Sequence, residues 1–384
     1  MWLLVLLVLS GTLAMHMFVP ALSQAARDLG ADSGEMQLTI SLYVLGLAFG
    51  QLFYGPLSDT FGRRPMLAIG LTAYTVAGFA SAVSGSVVFL IYARLLQALG
   101  GCAGMILGRV IVSDTSSGDL AIRRLALLNL IAVAGPGLAP ALGGFVTETF
   151  GWRMIFVCLG SLGILNVILV LTLLPETTIR TRRVESQVLI GDYLRLIRSP
   201  MFLGYAIGGG CATSSSYAFI SAAPFILADL HRSLHEVGFL LGFLALGVLV
   251  GSAITSRIVG QIPVARLLYT ANFLAFTASI SFLLLAVTGK LNLMWVAGLQ
   301  FLYTLSAGMT GPVAMTKAIK ANPVVMGSAA GLAGFVQMGV GAVCIWLTGL
   351  GGGAGVGAGA VVTGASVVAQ ISFRIAARSE RLTG

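Results

Sequence analysis

Long apolar runs alternate with short polar gaps along almost the whole chain. A helix needs about 20 apolar residues to cross a bilayer, and marking the interruptions predicts about twelve spans of that length. The first six fall near 1–22, 36–57, 66–84, 87–112, 124–147 and 153–174, roughly one bilayer thickness each. The other six fall near 200–228, 236–256, 265–287, 291–316, 324–349 and 354–375, again about one crossing each. The predicted fold class is an all-α membrane protein whose twelve or so transmembrane helices form two six-helix, pseudo-symmetric halves. The halves are 1–174 and 200–384, and the polar stretch 175–199 is read as a cytoplasmic linker. An even split around a polar middle suggests duplication, which in a transporter puts the substrate site between the repeats. The run "GGGAGVGAGA" in the 350s reads as a loop followed by a small-residue helix contact.

The opening run, "MWLLVLLVLSGTLAMHMFVPAL", lacks a basic leading segment and is long enough to span, so it reads as the first helix rather than a signal peptide. A short cytoplasmic lead is expected to precede it.

Composition agrees. Of the 384 residues 57% are hydrophobic and 9% charged, against about 25% charged in a soluble domain. The net charge of +9 does not point to nucleic acid, because the basic residues are dispersed among the gaps. Arg63, Arg64, Arg123, Arg124, Arg180, Arg182, Arg183, Arg195, Arg198, Arg257, Arg266, Lys317, Lys320, Arg374, Arg378 and Arg381 fall on one side of the predicted membrane. Arg27, Arg153, Arg232 and Lys290 fall on the other. The positive-inside rule then makes both termini and the central linker cytoplasmic. Cys102, Cys158, Cys211 and Cys344 lie in apolar stretches without paired spacing, and the histidines lack ligand spacing. No metal, cofactor or enzyme activity is expected, since the spans show no paired nucleophile and base.

One passage breaks the apolar monotony. "YGPLSDTFGRRP", Tyr54–Pro65, packs two glycines, two prolines, an aspartate and two arginines between spans two and three. A positive-inside turn accounts for Arg63 and Arg64, but not for the spacing of Gly55, Asp59 and Gly62. Asp59 would lie within reach of a helix N-terminus or of Arg63. The second half carries a worn echo, "GSAITSRIVG" at Gly251–Gly260, with Arg257 and no aspartate.

These residues resemble the loop signature of the major facilitator superfamily, G-x-L-x-D-x-x-G-R-[RK]. The resemblance implies that Gly55, Asp59, Gly62, Arg63 and Arg64 form a charge latch between the two halves. Span four offers Arg94, Gln97 and Gly100 as R-x-x-Q-x-x-G, similar to a second superfamily motif; a charge inside the membrane costs at least ~2.5 kcal/mol and should face a cavity unless it snorkels to the surface. Span five reads "GPGLAPALGG", and Gly135, Pro140, Gly143 and Gly144 resemble the antiporter signature, with small residues allowing close helix approach and proline bending the span. "FVPAL" in span one and "YAFISAAPFIL" in span seven look like the Bcr/CflA-type drug:proton antiporters, closely in the first half and loosely in the second.

Those relatives often carry an aspartate ahead of the span-one proline, where this chain has His16. No acid falls in mid-membrane, so His16, which titrates near neutrality, is the candidate proton carrier, with Arg94 as its partner. A histidine simply bonded to a backbone carbonyl is the competing reading. Phe18, Tyr43, Tyr217 and Phe219 are candidates to line a cavity for bulky, planar substrates, although packing is the commoner use of such residues.

The expected function is proton-driven efflux of amphipathic drugs or small toxic compounds by alternating access, with a role in antibiotic resistance, from a monomer in the cell inner membrane. The expected partners are a small-molecule substrate, protons and the lipid bilayer. The alternatives are an exporter or uniporter of one metabolite, such as an amino acid or sugar, or a membrane sensor that does not transport.

Overall fold

The computed structural model describes residues 1–116, 118–177, 186–321 and 326–383. The first span is broken: α1 (Trp2–His16) gives way to one 3₁₀ turn at Val19–Ala21 and resumes as α2 (Leu22–Leu29). α3 (Ser33–Phe61), α4 (Arg63–Ala82), α5 (Val87–Thr115), α6 (Gly118–Phe150) and α7 (Trp152–Leu173) complete the first six crossings. After a short helix α8 (Ser186–Ile197), the seventh span is also broken, into α9 (Pro200–Thr213) and α10 (Ser216–Asp229). α11 (Leu234–Ile258), α12 (Val264–Val287), α13 (Leu293–Lys320), α14 (Met326–Gly349) and α15 (Ala354–Thr383) follow.

Among the described residues, ten spans are long and apolar enough to cross a membrane. The helices α6 and α13 bring the crossings to about twelve. α13 places Gln300, Tyr303, Thr304, Ser306 and Thr310 among its buried residues.

Several spans start at polar caps that satisfy orphan N–H groups of a first helical turn. Asp32 and Glu35 form a reciprocal capping box at the start of α3, Ser86 caps α5, Ser199 caps α9 and Asn292 caps α13. Asp32 and Glu35 are therefore occupied in starting a helix.

Within the stretch 175–199 read as a linker, Ser186–Ile197 is helical. Leu189, Tyr193 and Leu196 recur at helical spacing there, a pattern that the search for 20-residue runs passes over. Residues 178–185, with Arg180, Arg182 and Arg183, lie outside the described residues, as do the side chains of Arg123 and Arg381. In the glycine run of the 350s, Gly351–Gly353 bend and α15 begins at Ala354.

The chain divides into two compact units, one of Met1–Glu185 with Val237–Phe239, the other of Ser186–Glu236 with Leu240–Gly384. In the first unit the connections alternate between two ends. At one end Trp152 Nε1 donates to Asp28 Oδ2 at 2.9 Å, and Arg153 reaches both Asp28 (3.8 Å) and the Ser84 carbonyl (3.1 Å). At the other end Arg63 meets Asp59 and Asp114. In the core near that second end, Leu4, Leu7 and Val8 of α1 pack with Leu67, Leu71, Leu107, Ile111 and Val170.

Candidate functional site

The Tyr54–Pro65 passage is less of a loop than its composition implies. α3 continues through Pro56 to Phe61, so Gly55 and Asp59 ride its last turns, and the reversal into α4 is made by Gly62 alone. Gly62 has φ 101° and ψ 151°, a region that only glycine occupies readily. Arg63 is the hub. Its Nη1 lies 2.5 Å from Asp59 Oδ1 and donates to Ser58 Oγ at 2.5 Å, while its Nε donates to Asp114 Oδ2 at 3.1 Å. Asp59 thus finds Arg63, as expected. The N-terminus of α4 goes instead to Glu176, whose carboxylate accepts the backbone N–H groups of Arg63 (2.9 Å) and Arg64 (3.2 Å). Arg64 Nη2 donates to the Leu171 carbonyl. Asp114 and Glu176 complete this cluster, and motif spacing does not reveal them because they lie 51 and 112–113 residues away.

Arg94 does not snorkel. It is fully buried, 0% exposed, with its Cζ 4.0 Å from the Tyr43 ring centroid and 5.5 Å from those of Phe18 and Phe156. Nη1 donates to Gln97 Oε1 at 2.7 Å, one helical turn away. Nε and Nη2 have no hydrogen-bond partner, nor has Gln97 Nε2. Two tyrosines fix the surroundings: Tyr43 and Tyr74 donate to the successive carbonyls of Gly11 and Ser10, each at 3.1 Å.

The span-five glycines press against span one. A Cβ on Gly135 would collide with the Thr12 side chain, and one on Gly143 would run into the Met17 carbonyl. Pro140 and Gly144 are buried in the same stretch of α6. Between Thr12 and Met17 lies His16, 4% exposed, with Nδ1 3.0 Å from the Thr12 carbonyl. The histidine therefore makes the backbone hydrogen bond of the competing reading, and it makes it at the last residue of α1, where the span breaks.

The four aromatic candidates divide between the two units. Phe18 stands at the break, its centroid 4.8 Å from that of Phe156 and 6.0 Å from that of Trp152, and shares Arg94 with Tyr43. Tyr217 and Phe219 belong to α10 in the second unit. Phe219 is 1% exposed and meets Phe282 edge-on at 5.8 Å, while Tyr217 lies half-buried beside Gly341.

The second unit keeps the turn of the signature and changes its charges. Gly260 has φ 91°, matching Gly62. Counting back three residues from each glycine sets Arg257 at the position of Asp59. Arg257 is exposed. A separate pair, Lys317 Nζ with Glu380 Oε1, ties the ends of α13 and α15, and Tyr205 of α9 donates to Glu380 Oε2 at 2.5 Å.

Two helical units with interrupted spans, a polar hub around Arg63 at a helix turn and a fully enclosed Arg94 define a multi-pass membrane transporter. The comparisons name its family: residues 4–345 match the Major Facilitator Superfamily, and the chain belongs to that superfamily, whose members are transporters and not enzymes. It is 30% identical over 380 residues to the MFS-type transporter YdgK of Bacillus subtilis, covering 97% of this chain and 94% of that one. It is 25% identical over 332 residues to a bicyclomycin resistance protein homolog of Haemophilus influenzae, covering 85% and 83%. Among solved structures, a bacterial homolog to the human lysosomal transporter Spinster superposes with TM-score 0.77 at 14% identity, covering 99% and 96%, which speaks to the fold alone.

Proposed function

We propose that this transporter exports amphipathic drugs or small toxic compounds by alternating access, as a monomer in the bacterial inner membrane with both termini cytoplasmic, driven by inward proton movement. The observation that carries the reading is Arg94, a fully buried cation beside the broken first span, ringed by Phe18, Tyr43 and Phe156. A charge held at that depth is costly to keep unless it serves transport. Aromatic faces beside it suit planar, apolar substrates. The likeness to a bicyclomycin resistance protein homolog supports drugs over nutrients as cargo.

In this reading Arg94 and His16 act in proton coupling. The Gly135, Pro140, Gly143 and Gly144 face holds span one tightly, and the Gly55–Arg64 turn biases the two access states. Phe18 and Tyr43 take part in binding from the first unit, and Tyr217 and Phe219 from the second. A ligand drives the cycle only if it binds the two states differently.

The test is efflux from proteoliposomes of a panel of drugs, amino acids and sugars, with and without an imposed pH gradient. Gradient-accelerated export of several unrelated amphipathic compounds is expected. Movement of a single metabolite, or rates indifferent to the gradient, would replace this reading with a dedicated exporter or uniporter.

A further inference from the structure

The electrostatics around Arg94 are lopsided. Among the residues whose side chains are described, no carboxylate is buried, and Arg94 is fully enclosed. Every described carboxylate lies in α8, within about a turn of a span end, or outside the spans, so none offsets this guanidinium. Gln97 Oε1 accepts one of its N–H groups, and the amide oxygen carries no net charge. Two guanidinium nitrogens and Gln97 Nε2 remain as buried donors without partners. Buried polar groups are nearly always hydrogen-bonded, and an exception calls for an explanation. These three lie on one turn of α5, all of them donors, and the rings around them provide apolar flanks.

We propose that Arg94 and Gln97 form the polar end of a substrate subsite in the first unit, selective for planar aromatic compounds that carry a carboxylate or similar anionic acceptor. The proposal rests on the transport reading above and names its substrate class. A carboxylate takes two parallel N–H groups from a guanidinium, an arrangement open to the Nε and Nη2 pair. The aromatic body would lie against Phe18 and Tyr43 in the offset or edge-on contacts such rings prefer. Phe18 stands at the joint between α1 and the 3₁₀ turn, where displacing its ring distorts no regular helix. Lipophilic cations are disfavoured in the same place, since two like charges in a low-dielectric site repel strongly.

Equilibrium dialysis of 2-naphthoate, 2-naphthamide and 2-naphthylmethylammonium against the full chain in lipid nanodiscs tests this. The naphthoate should bind at least tenfold tighter than the ammonium, with the amide between them. Arg94→Gln should erase that order. Gln97→Glu should erase it as well, and it remains informative if Arg94→Gln fails to fold, because the new carboxylate satisfies the Arg94 donors and competes with the ligand. Equal or tighter binding of the ammonium, absence of binding by all three, or a naphthoate preference that survives in both variants would overturn the subsite. Arg94-dependent binding of naphthoate without transport in proteoliposomes would sink the transport reading and leave the subsite standing. Equal transport of all three probes would do the reverse.

Discussion

A Cβ on Gly62 would lie 2.6 Å from Glu176 Oε2. The glycine that turns α3 into α4 and the carboxylate that caps α4 thus compete for one corner, and both are served only because position 62 has no side chain. Backbone conformation makes the same demand, since a non-glycine residue in that region costs about 1–3 kcal/mol. Gly62→Ala should therefore lower the thermal unfolding midpoint and displace Glu176 from the Arg63 and Arg64 amides. Glu176→Gln should lower it less, because the turn survives and one charge-assisted acceptor becomes neutral. Melting of purified variants in detergent checks the order; Gly62→Ala as stable as the parent would show that the corner relaxes freely.

Arg63 holds two carboxylates, at 2.5 Å (Asp59) and 3.1 Å (Asp114). Asp59→Asn should leave the protein inserted, with Asp114 and Ser58 still on Arg63, yet cut efflux at least tenfold. About 1.4 kcal/mol of altered balance between access states is enough for a tenfold change in population. Asp114→Asn should act in the same direction, and the double variant should lose less than the two losses combined, because both carboxylates act through one arginine. Expression-normalised efflux measures this, and a well-expressed Asp59→Asn protein with parental rates would remove the latch role.

The repeat architecture was open to sequence reading because lipid demands long apolar helices, and run length survives any error in packing. The Arg63–Asp59 pair was readable for a similar reason, as both residues lie within one turn of chain. Glu176 and Asp114 lie far from the motif in sequence, and their meeting with Arg63 depends on how α4, α5 and α7 assemble. α8 was missed because a short helix with polar residues on part of its surface lacks the run length that marks a span. The aromatic candidates show the limit most plainly. Phe18 and Tyr43 share a guanidinium, whereas Phe219 packs on Phe282, and no spacing within a single helix separates these cases.

Gly135 and Thr12 supply a test of the span-five motif. A Cβ at Gly135 would strike the Thr12 methyl group and sit 3.2 Å from its Cβ. Gly135→Ala should destabilise by about 1–3 kcal/mol, the usual cost of overpacking. Thr12→Ser removes the methyl and keeps the hydroxyl that donates to the Val8 carbonyl at 3.1 Å, so the double variant should recover most of the loss. A double-mutant cycle on unfolding midpoints reads the coupling. Additive effects would mean that α6 and α1 separate easily there, against the tight contact inferred for the motif.

His16 is the sharpest test of proton coupling, because its geometry fits two roles. Nδ1 lies 3.0 Å from the Thr12 carbonyl, one turn earlier, which suits a histidine that merely finishes α1. With Nδ1 donating, the remaining ring nitrogen is the site where a proton is taken up or released. Glutamine separates the roles: its amide can donate to the same carbonyl, but it does not titrate. His16→Gln should therefore fold and move substrate down its concentration gradient while losing the acceleration that an inward proton gradient gives the parent. His16→Asp should retain a gradient response, shifted to more acidic pH, because a carboxyl group titrates below an imidazole. Counterflow and gradient-driven efflux in the same proteoliposomes distinguish these outcomes. If His16→Gln keeps its full gradient response, the histidine's role is structural, through contacts that include the Thr12 hydrogen bond. The carrier must then be sought among the rim acids, where Glu35 is already committed to capping α3 and Asp114 to Arg63.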